Sequence, residues 1–192
     1  HPDTLQYNGP WDQFLVSPYF YANRKPSDIK RVAIVGLAAG TTARQMTAVY
    51  GNIPIDGYEL DPKIVEVGQK YFGMNMPNLN IIIGDGRLNL ERSEHKYDII
   101  AVDAYMTTQE FFQIVASHLS ENGVLTINSA SVPGDRRLIN GLATTMATVF
   151  PSIYTVDIPG SLNTMIFATK QETIPENFAM NLLALSNDTT VN

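Results

Sequence analysis

The sequence predicts an α/β fold in which helices cover both faces of a mostly parallel, seven-stranded sheet. Short apolar runs of strand length alternate with segments of helical spacing along most of the chain. Strands that are continuously apolar, rather than alternating, are typical of parallel sheets buried on both faces. The last two apolar runs are separated only by a turn region at Pro159 and Gly160. This short connection predicts an antiparallel hairpin at the edge of the sheet.

The individual elements follow from these periodicities. The predicted strands are Arg31–Val35, Ile53–Glu59, Leu79–Ile83, Tyr97–Val102, Gly123–Asn128, Ile153–Asp157 and Thr164–Thr169. The predicted helices between them are Thr41–Tyr50, Pro62–Phe72, Thr107–Leu119 and Asp135–Val149. Seven strands that end in a hairpin indicate the Rossmann-like arrangement of methyltransferases rather than the six-stranded arrangement that binds dinucleotides.

We expect three segments along the chain. Residues 31–170 are predicted to form one Rossmann-like, nucleotide-binding domain. Residues 1–30 are a lead-in with a helix around Trp11–Phe20, and residues 171–192 are a tail with a short helix over Pro175–Leu185. Because the sequence starts with His1 rather than Met, we expect it to be part of a longer protein.

Composition narrows the function classes. The 13 basic and 19 acidic residues give a net charge of −6, which argues against a nucleic-acid partner because no basic stripe is available. An acidic protein suits a cationic small substrate, although the same charge also serves solubility. The absence of cysteine excludes disulfides, thiolate metal sites and cysteine nucleophiles. No apolar run approaches the roughly 18 residues that a membrane span requires. We therefore expect a cytoplasmic protein, or a soluble domain of a larger one, without membrane contact.

The first motif is a predicted strand that runs into a turn of small residues, Gly36, Ala38 and Gly40. Such a turn allows a ligand to approach the backbone and the amides at the start of the next helix. A dinucleotide fingerprint would require its third glycine at Thr41, so this spacing favours a sulfonium nucleotide of the S-adenosylmethionine type. Small residues here would also serve strand–helix packing.

Carboxylates stand at the ends of the next three strands. Glu59 ends an apolar strand, where a charge needs a partner, and a ligand's ribose hydroxyls would supply one. Asp61 lies just before a helix and is interpreted mainly as its cap. Asp85, followed by Gly86, can accept from an exocyclic amine, although a tight turn alone would also explain the pair. Asp103 ends the fourth strand, where such sheets place their ligands, and it is a candidate catalytic or substrate group or a local cap.

The run from Arg31 to Asn128 resembles the nucleotide-binding core of the spermidine synthases, the polyamine aminopropyltransferases. The motifs Glu59–Pro62 and Gly84–Gly86 and the strand that ends at Asp103 match that family in order and spacing. Ile34 strengthens the resemblance, because ordinary methyltransferases usually carry an acid at this position and spermidine synthases an apolar residue.

The resemblance implies a transfer of the aminopropyl group from decarboxylated S-adenosylmethionine to a diamine such as putrescine. Asp103 would be catalytic, because it would help to deprotonate and orient the amine. The cofactor-binding residues would be Gly36, Ala38, Gly40, Glu59, Asp85 and Gly86. The substrate-binding residues would be Asp103, Tyr105, Trp11 and Asp12. No metal is expected, since His1, His95 and His118 lack the spacing of a site, and a homodimer is the expected assembly.

Two departures from the family pattern keep alternatives open. Ala39 stands where the family has an aspartate that contacts the amine end of the nucleotide. After Asp103, the family's second aspartate and long lid are replaced by Ala104-Tyr105-Met106 and then a helical pattern. The lid is either deleted or hidden by a break in the structure after Tyr105. The alternatives are an S-adenosylmethionine-dependent methyltransferase and a non-catalytic nucleotide-binding domain.

Overall fold

The computed structural model describes residues 9–187. Its strands are β1 (Val32–Val35), β2 (Ile55–Glu59), β3 (Leu79–Ile83), β4 (Tyr97–Val102), β5 (Leu119–Ala130), β6 (Ser152–Asp157) and β7 (Asn163–Thr169). Its α-helices are α1 (Pro10–Gln13), α2 (Thr41–Tyr50), α3 (Pro62–Tyr71), α4 (Gly86–Glu91), α5 (Gln109–His118), α6 (Arg137–Met146) and α7 (Pro175–Asn187). Two 3₁₀-helices, Phe14–Phe20 and Pro26–Asp28, follow α1.

The strands form one seven-stranded sheet in the order β3-β2-β1-β4-β5-β7-β6. Strands β1 to β5 pair in parallel, and β7 runs antiparallel to both β5 and β6. The predicted parallel sheet with an antiparallel edge pair is therefore confirmed. The order reverses between β1 and β4, and a ligand crevice forms at the carboxyl ends of the strands at such a switch point.

Three local predictions differ from the structure. The segment predicted as one helix around Trp11–Phe20 is helical but in two parts: α1 ends at Gln13 and a 3₁₀-helix continues to Phe20. Pro18 lies inside that segment, and proline lacks the N–H that an α-helix needs and clashes with the preceding turn. Helix α4 was not predicted. Strand β5 starts at Leu119 rather than Gly123, so it follows α5 directly.

Both faces of the sheet are covered by helices, as predicted. Met46 of α2 and Val65 of α3 pack on one face together with Phe14 from the lead-in. Phe112 of α5 and Leu142 of α6 pack on the other face. All five side chains are buried, so the sheet is held rigidly between two apolar layers.

The lead-in and the tail contact each other on the first of these faces. Asn181 of α7 is buried, and its side-chain amide donates hydrogen bonds to the backbone carbonyls of Tyr19 (2.8 Å) and Tyr21 (2.7 Å).

Residues 1–8 of the predicted lead-in, including His1, and residues 188–192 of the predicted tail lie outside the described residues. No helix in the described part of the chain is long and apolar enough to cross a membrane.

Candidate active site

A cleft of about 370 Å³ opens at the carboxyl ends of β1 to β4. Of the residues singled out in the sequence, those that line it are Gly36, Ala38, Glu59, Asp85, Gly86, Asp103 and Tyr105. Gly40, Trp11 and Asp12 are not among its lining residues. The fold thus brings the strand-end motifs together, although they are spread over some seventy positions of the chain.

Packing demands explain the glycines of the small-residue turn. Gly36 has a φ of +86°, and a Cβ there would lie 2.6 Å from the carbonyl oxygen of Asp103. Gly40 has a φ of +78°, and its Cβ would meet the side chain of Met74 at 2.6 Å. Gly40 therefore serves the contact between α2 and the loop after α3. Between the two glycines, Ala38 is exposed and faces the cleft.

Glu59 is held in place by two backbone amides. Its Oε2 accepts from the N–H of Ala38 at 2.8 Å, and its Oε1 accepts from the N–H of Asp61 at 3.1 Å. Only 8% of the residue is exposed, yet each carboxylate oxygen keeps a second lone pair. The group can therefore accept two further hydrogen bonds, as a pair of neighbouring hydroxyls requires. Asp61 caps α3 through the N–H of Lys63 at 2.7 Å, as predicted.

Asp85 has a structural role that the sequence analysis missed. Its Oδ1 accepts from the backbone N–H groups of Arg87 (2.8 Å) and Leu88 (3.1 Å), which caps α4. Its Oδ2 makes no hydrogen bond within the described part of the chain. Gly86 is buried at the start of α4, and a Cβ there would lie 2.8 Å from Val35 Cγ1. The cap holds the Asp85 carboxylate at the cleft with one oxygen available to a donor.

Asp103 accepts hydrogen bonds at both oxygens. Asn128 Nδ2 donates to Oδ1 at 2.9 Å, and Trp11 Nε1 donates to Oδ2 at 3.3 Å. Trp11 thus reaches the site through its indole N–H, although it does not line the cleft. Asp12 instead accepts a hydrogen bond from Gln45 of α2. Charge-assisted bonds of this kind orient a carboxylate more firmly than neutral ones do.

The Asp103 contact continues along a chain of side-chain amides. Asn163 Nδ2 donates to Asn128 Oδ1 at 2.9 Å, and Ser161 Oγ donates to Asn163 Oδ1 at 2.6 Å. We call Asn128, Asn163 and Ser161 the amide chain. Sequence reasoning missed it, although the rule that adjacent parallel strands end at one edge would have placed Asn128, near the end of β5, beside Asp103.

A second pocket of about 170 Å³ lies on the other side of Asp103. It shares Asp103, Ala104, Tyr105 and Met106 with the cleft and continues toward Leu142 of α6. Tyr105 is 95% exposed. Residues 103–108 connect β4 to α5, and the deleted lid and the hidden lid both stay predictions. The short segment leaves the junction of the two cavities open.

A buried polar cluster lies near the starts of β2 and β4, away from the carboxyl-end cleft. The Tyr58 hydroxyl, from a residue that lines the cleft, bonds to the Tyr97 hydroxyl at 3.1 Å. Tyr97 donates to Asp56 at 3.0 Å, and Arg31 pairs with the same Asp56 oxygen at 3.0 Å. Burial raises the pKa of both tyrosines, so both stay protonated and neither acts as a base. Within the described residues, no cluster of three or more histidine, aspartate or glutamate side chains could hold a metal.

Comparison with known proteins agrees with this geometry. The family model of the spermine/spermidine synthase domain matches residues 21–181. A probable polyamine aminopropyl transferase of Bifidobacterium longum is 36% identical over 148 residues, covering 71% of this chain and 33% of the relative. A polyamine aminopropyltransferase of Vibrio vulnificus is 26% identical over 196 residues, covering 92% of this chain and 64% of the relative. The chain therefore spans between about a third and two thirds of the length of these relatives.

Solved structures share the fold. A spermidine synthase in complex with the transition-state analogue AdoDATO has a TM-score of 0.75 at 22% identity, covering 93% of this chain and 64% of that one. Human methyltransferase-like protein 13 in complex with SAH has a TM-score of 0.77 at 23% identity, covering 94% of this chain and 96% of that one. At these identities the likeness concerns the fold alone. The family match over most of the chain carries the assignment: this chain belongs to the spermine/spermidine synthase domain family.

Proposed function

We propose that this domain transfers the aminopropyl group of decarboxylated S-adenosylmethionine to an alkyl amine. The observation that carries the proposal is the position of the Asp103 carboxylate between the cleft and the second pocket. A nucleotide in the cleft and an amine in the second pocket would meet at this group. The relatives that are named aminopropyltransferases support this reaction rather than another use of the fold. The homodimer and the cytoplasmic location stay predictions.

The cleft residues fit the parts of such a nucleotide. Glu59, held by two amides, would accept the two ribose hydroxyls. Asp85 Oδ2 would accept from the exocyclic amine of adenine, with Gly86 allowing the base to lie against the start of α4. The bound sulfonium nucleotide supplies a carbon open to attack and a neutral thioether leaving group. The protein's task is therefore to position the two reactants rather than to activate the leaving group.

Asp103 would bind the incoming ammonium and promote its deprotonation. The free amine lone pair then forms the new N–C bond as the C–S bond breaks, and the bonding electrons remain on sulfur. The products are the aminopropylated amine and methylthioadenosine, and the proton released from the ammonium leaves through Asp103 to water. Asn128 and Trp11 hold the carboxylate from two sides, so its orientation is set before the amine arrives.

The proposal is tested by thermal unfolding with three nucleotides. We expect decarboxylated S-adenosylmethionine to raise the melting temperature more than methylthioadenosine or intact S-adenosylmethionine. At equal concentrations the ligand that binds the folded state most tightly stabilises it most, and the proposed reaction uses the decarboxylated nucleotide. A larger shift with the intact form would indicate a methyltransferase. That alternative is favoured by Ala39, which removes an acid suited to the amine end of the decarboxylated nucleotide. No shift with any of the three would indicate a non-catalytic domain.

Substituting Glu59→Gln is expected to weaken nucleotide binding by about 1–3 kcal/mol, because a charge-assisted acceptor is lost. The new amide has only one oxygen, so its N–H₂ group would face the backbone N–H of either Ala38 or Asp61. In the parent protein both of these N–H groups donate to carboxylate oxygens of Glu59. Isothermal titration with decarboxylated S-adenosylmethionine measures the change. Glu66→Gln, on the exposed surface of α3, is the matched control, and equal affinities for the two variants would mean that the ribose is bound elsewhere.

Substituting Asn128→Leu is expected to lower kcat by about tenfold or more, since Asp103 loses one of its two charge-assisted bonds. Nucleotide affinity should stay close to that of the parent, because Asn128 does not line the cleft. Single-turnover rates and nucleotide titrations separate the two effects. Asn128→Gln keeps the donor group, so partial recovery of kcat in this variant supports a positioning role. A parent-like kcat for the leucine variant would contradict it.

A further inference from the structure

We propose that Asn163, at the start of β7, is a positioning residue that acts on Asp103 through Asn128. The inference deepens the proposed function and rests on it, because there Asp103 is the group that meets the amine. Asn163 Nδ2 donates to Asn128 Oδ1 at 2.9 Å, and Asn128 Nδ2 donates to Asp103 Oδ1, also at 2.9 Å. Asn163 thereby determines which end of the Asn128 amide faces the carboxylate.

The direction of the hydrogen bonds along the amide chain follows from the chemistry of its members. An ionised carboxylate only accepts, so Asn128 must turn its N–H₂ group toward Asp103. The carbonyl oxygen of Asn128 then points away from Asp103 and accepts from the N–H₂ group of Asn163. The carbonyl oxygen of Asn163 accepts in turn from the Ser161 hydroxyl at 2.6 Å. Each amide therefore has one orientation in which every contact joins a donor to an acceptor.

Without Asn163, the Asn128 amide would have two orientations of nearly the same shape. Oxygen and N–H₂ differ little in size, so a rotation by 180° changes the hydrogen bonds of the amide far more than its packing. In the rotated form the carbonyl oxygen faces Asp103 Oδ1, and repulsion replaces a charge-assisted bond. The same rotation turns the N–H₂ group of Asn128 against that of Asn163. Asn163 thus adds to the free-energy cost of the unproductive orientation, and hydrogen bonds linked in a chain also strengthen one another.

The sheet fixes the position of Asn163. The residue pairs with Ala130 in the antiparallel ladder of β5 and β7. Its backbone carbonyl accepts from the N–H of Ile158 at 3.0 Å, across the turn from β6. Asn128 precedes Ala130 by two positions on β5, so the two amides are diagonal neighbours on one face of the sheet. Side chains on paired strands are held more precisely than those on loops, which suits a group that must orient another.

The first test ranks two variants of Asn163 by their single-turnover rates. Asn163→Asp keeps the shape of the side chain and still accepts from Ser161, but it presents an oxygen to Asn128 in place of the N–H₂ group. Asn128 then lies between two carboxylates, and one of them faces its carbonyl oxygen whichever way the amide turns. Asn163→Ala removes the partner without adding an acceptor.

We expect Asn163→Asp to lower the rate by about tenfold or more, the effect of losing a charge-assisted hydrogen bond. Asn163→Ala should lower it by a smaller factor, because Asn128 can still donate to Asp103. A merely structural role predicts the opposite order, since aspartate is closer to asparagine in shape than alanine is. An alanine variant that loses as much as the aspartate variant, or more, would therefore contradict the inference.

A second test asks whether the effect passes through Asn128. Asn163 also lines the second pocket, so a carboxylate at this position could act on the amine directly. Asn163→Asp is therefore combined with Asn128→Leu, which has no amide to turn. We expect Asn163→Asp to lower the rate by less than about twofold in that background, because mutations that act through one shared contact are not additive. The same loss with and without the Asn128 amide would show a direct effect and overturn the inference, leaving the proposed function standing.

Rates are measured as methylthioadenosine formed from decarboxylated S-adenosylmethionine and 1,4-diaminobutane, and nucleotide affinity is measured by isothermal titration. Both Asn163 variants should bind the nucleotide as the parent does, since Asn163 is not among the residues that line the cleft. A loss of affinity as large as the loss of rate would mean that Asn163 serves the fold. Asn140→Asp adds the same charge on the exposed surface of α6 and should keep the parent rate. A parent protein that transfers nothing to the diamine would overturn the proposed function and the inference with it.

Discussion

Substituting Asp103→Asn is expected to lower kcat by about 10²–10⁴-fold, the usual effect of losing a general base, with nucleotide affinity largely retained. The amide keeps the shape of the carboxylate but cannot accept a proton at neutral pH. It also cannot satisfy both present donors, because Asn128 Nδ2 and Trp11 Nε1 each donate to a different carboxylate oxygen. One of these donors would face the new N–H₂ group, so orientation is lost together with basicity.

Single-turnover kinetics with a saturating amine and a separate nucleotide titration distinguish chemistry from binding. Asp61→Asn is the matched control, since asparagine caps helices as well as aspartate does, the Asp61 side chain caps α3, and the backbone N–H that Asp61 donates to Glu59 is kept. The control should turn over at the parent rate. If Asp103→Asn transfers the aminopropyl group as fast as the parent, Asp103 serves the structure and the proposed mechanism is wrong.

The strand-end carboxylates could be predicted because the fold determines their position through a general rule. Parallel strands end at one edge of a sheet, so Glu59 and Asp103 share an edge once their strands are recognised. The strands could be recognised in the sequence because they are apolar runs that lie between segments of helical spacing. The same rule explains why the cleft contains most of the predicted cofactor-binding residues. What the rule does not supply is the distance between the groups or their hydrogen-bond partners.

Helix α4 escaped prediction because it is short and begins inside a turn motif. It spans only Gly86–Glu91, less than the length over which a helical period can be recognised. Its start, Gly84-Asp85-Gly86, has the composition of a turn. The Asp85 side chain caps the helix through two backbone amides. The residue is therefore both a helix cap and a candidate ligand group, whereas sequence reasoning weighed only ligand binding against a tight turn.

The amide chain depends on strand order, which the sequence does not display. Asn128 and Asn163 meet because β7 inserts between β5 and β6 and runs antiparallel to β5. The start of β7 is thereby placed beside the end of β5, where Ala130 pairs with Asn163. Trp11 reaches Asp103 from the lead-in, across 92 positions of the chain. Contacts of this kind follow from tertiary packing and have no local signature.

Substituting Gly36→Ala is expected to destabilise the fold by about 2–5 kcal/mol, a large part of the stability of a typical domain. Two effects add at this position. A left-handed backbone costs an L-residue about 1–2 kcal/mol, and the φ of Gly36 is +86°. The new Cβ would also lie 2.6 Å from the backbone oxygen of Asp103, a clash that requires β1 and β4 to separate at their carboxyl ends. Overpacking of this kind costs about 1–3 kcal/mol.

Gly160→Ala isolates the first effect from the second. Gly160 has a φ of +73°, and nothing lies within 4 Å of a Cβ built there, so this variant should lose only about 1–2 kcal/mol. Urea unfolding at constant m-value gives both free energies. The new side chain in Gly36→Ala clashes with the backbone of Asp103. The folded fraction of this variant should therefore have a lower turnover rate, whereas Gly160→Ala should keep the parent rate. Equal losses of stability in the two variants would contradict the clash at Gly36. They would mean that the turn has room for a side chain and that glycine is favoured there only because of its positive φ.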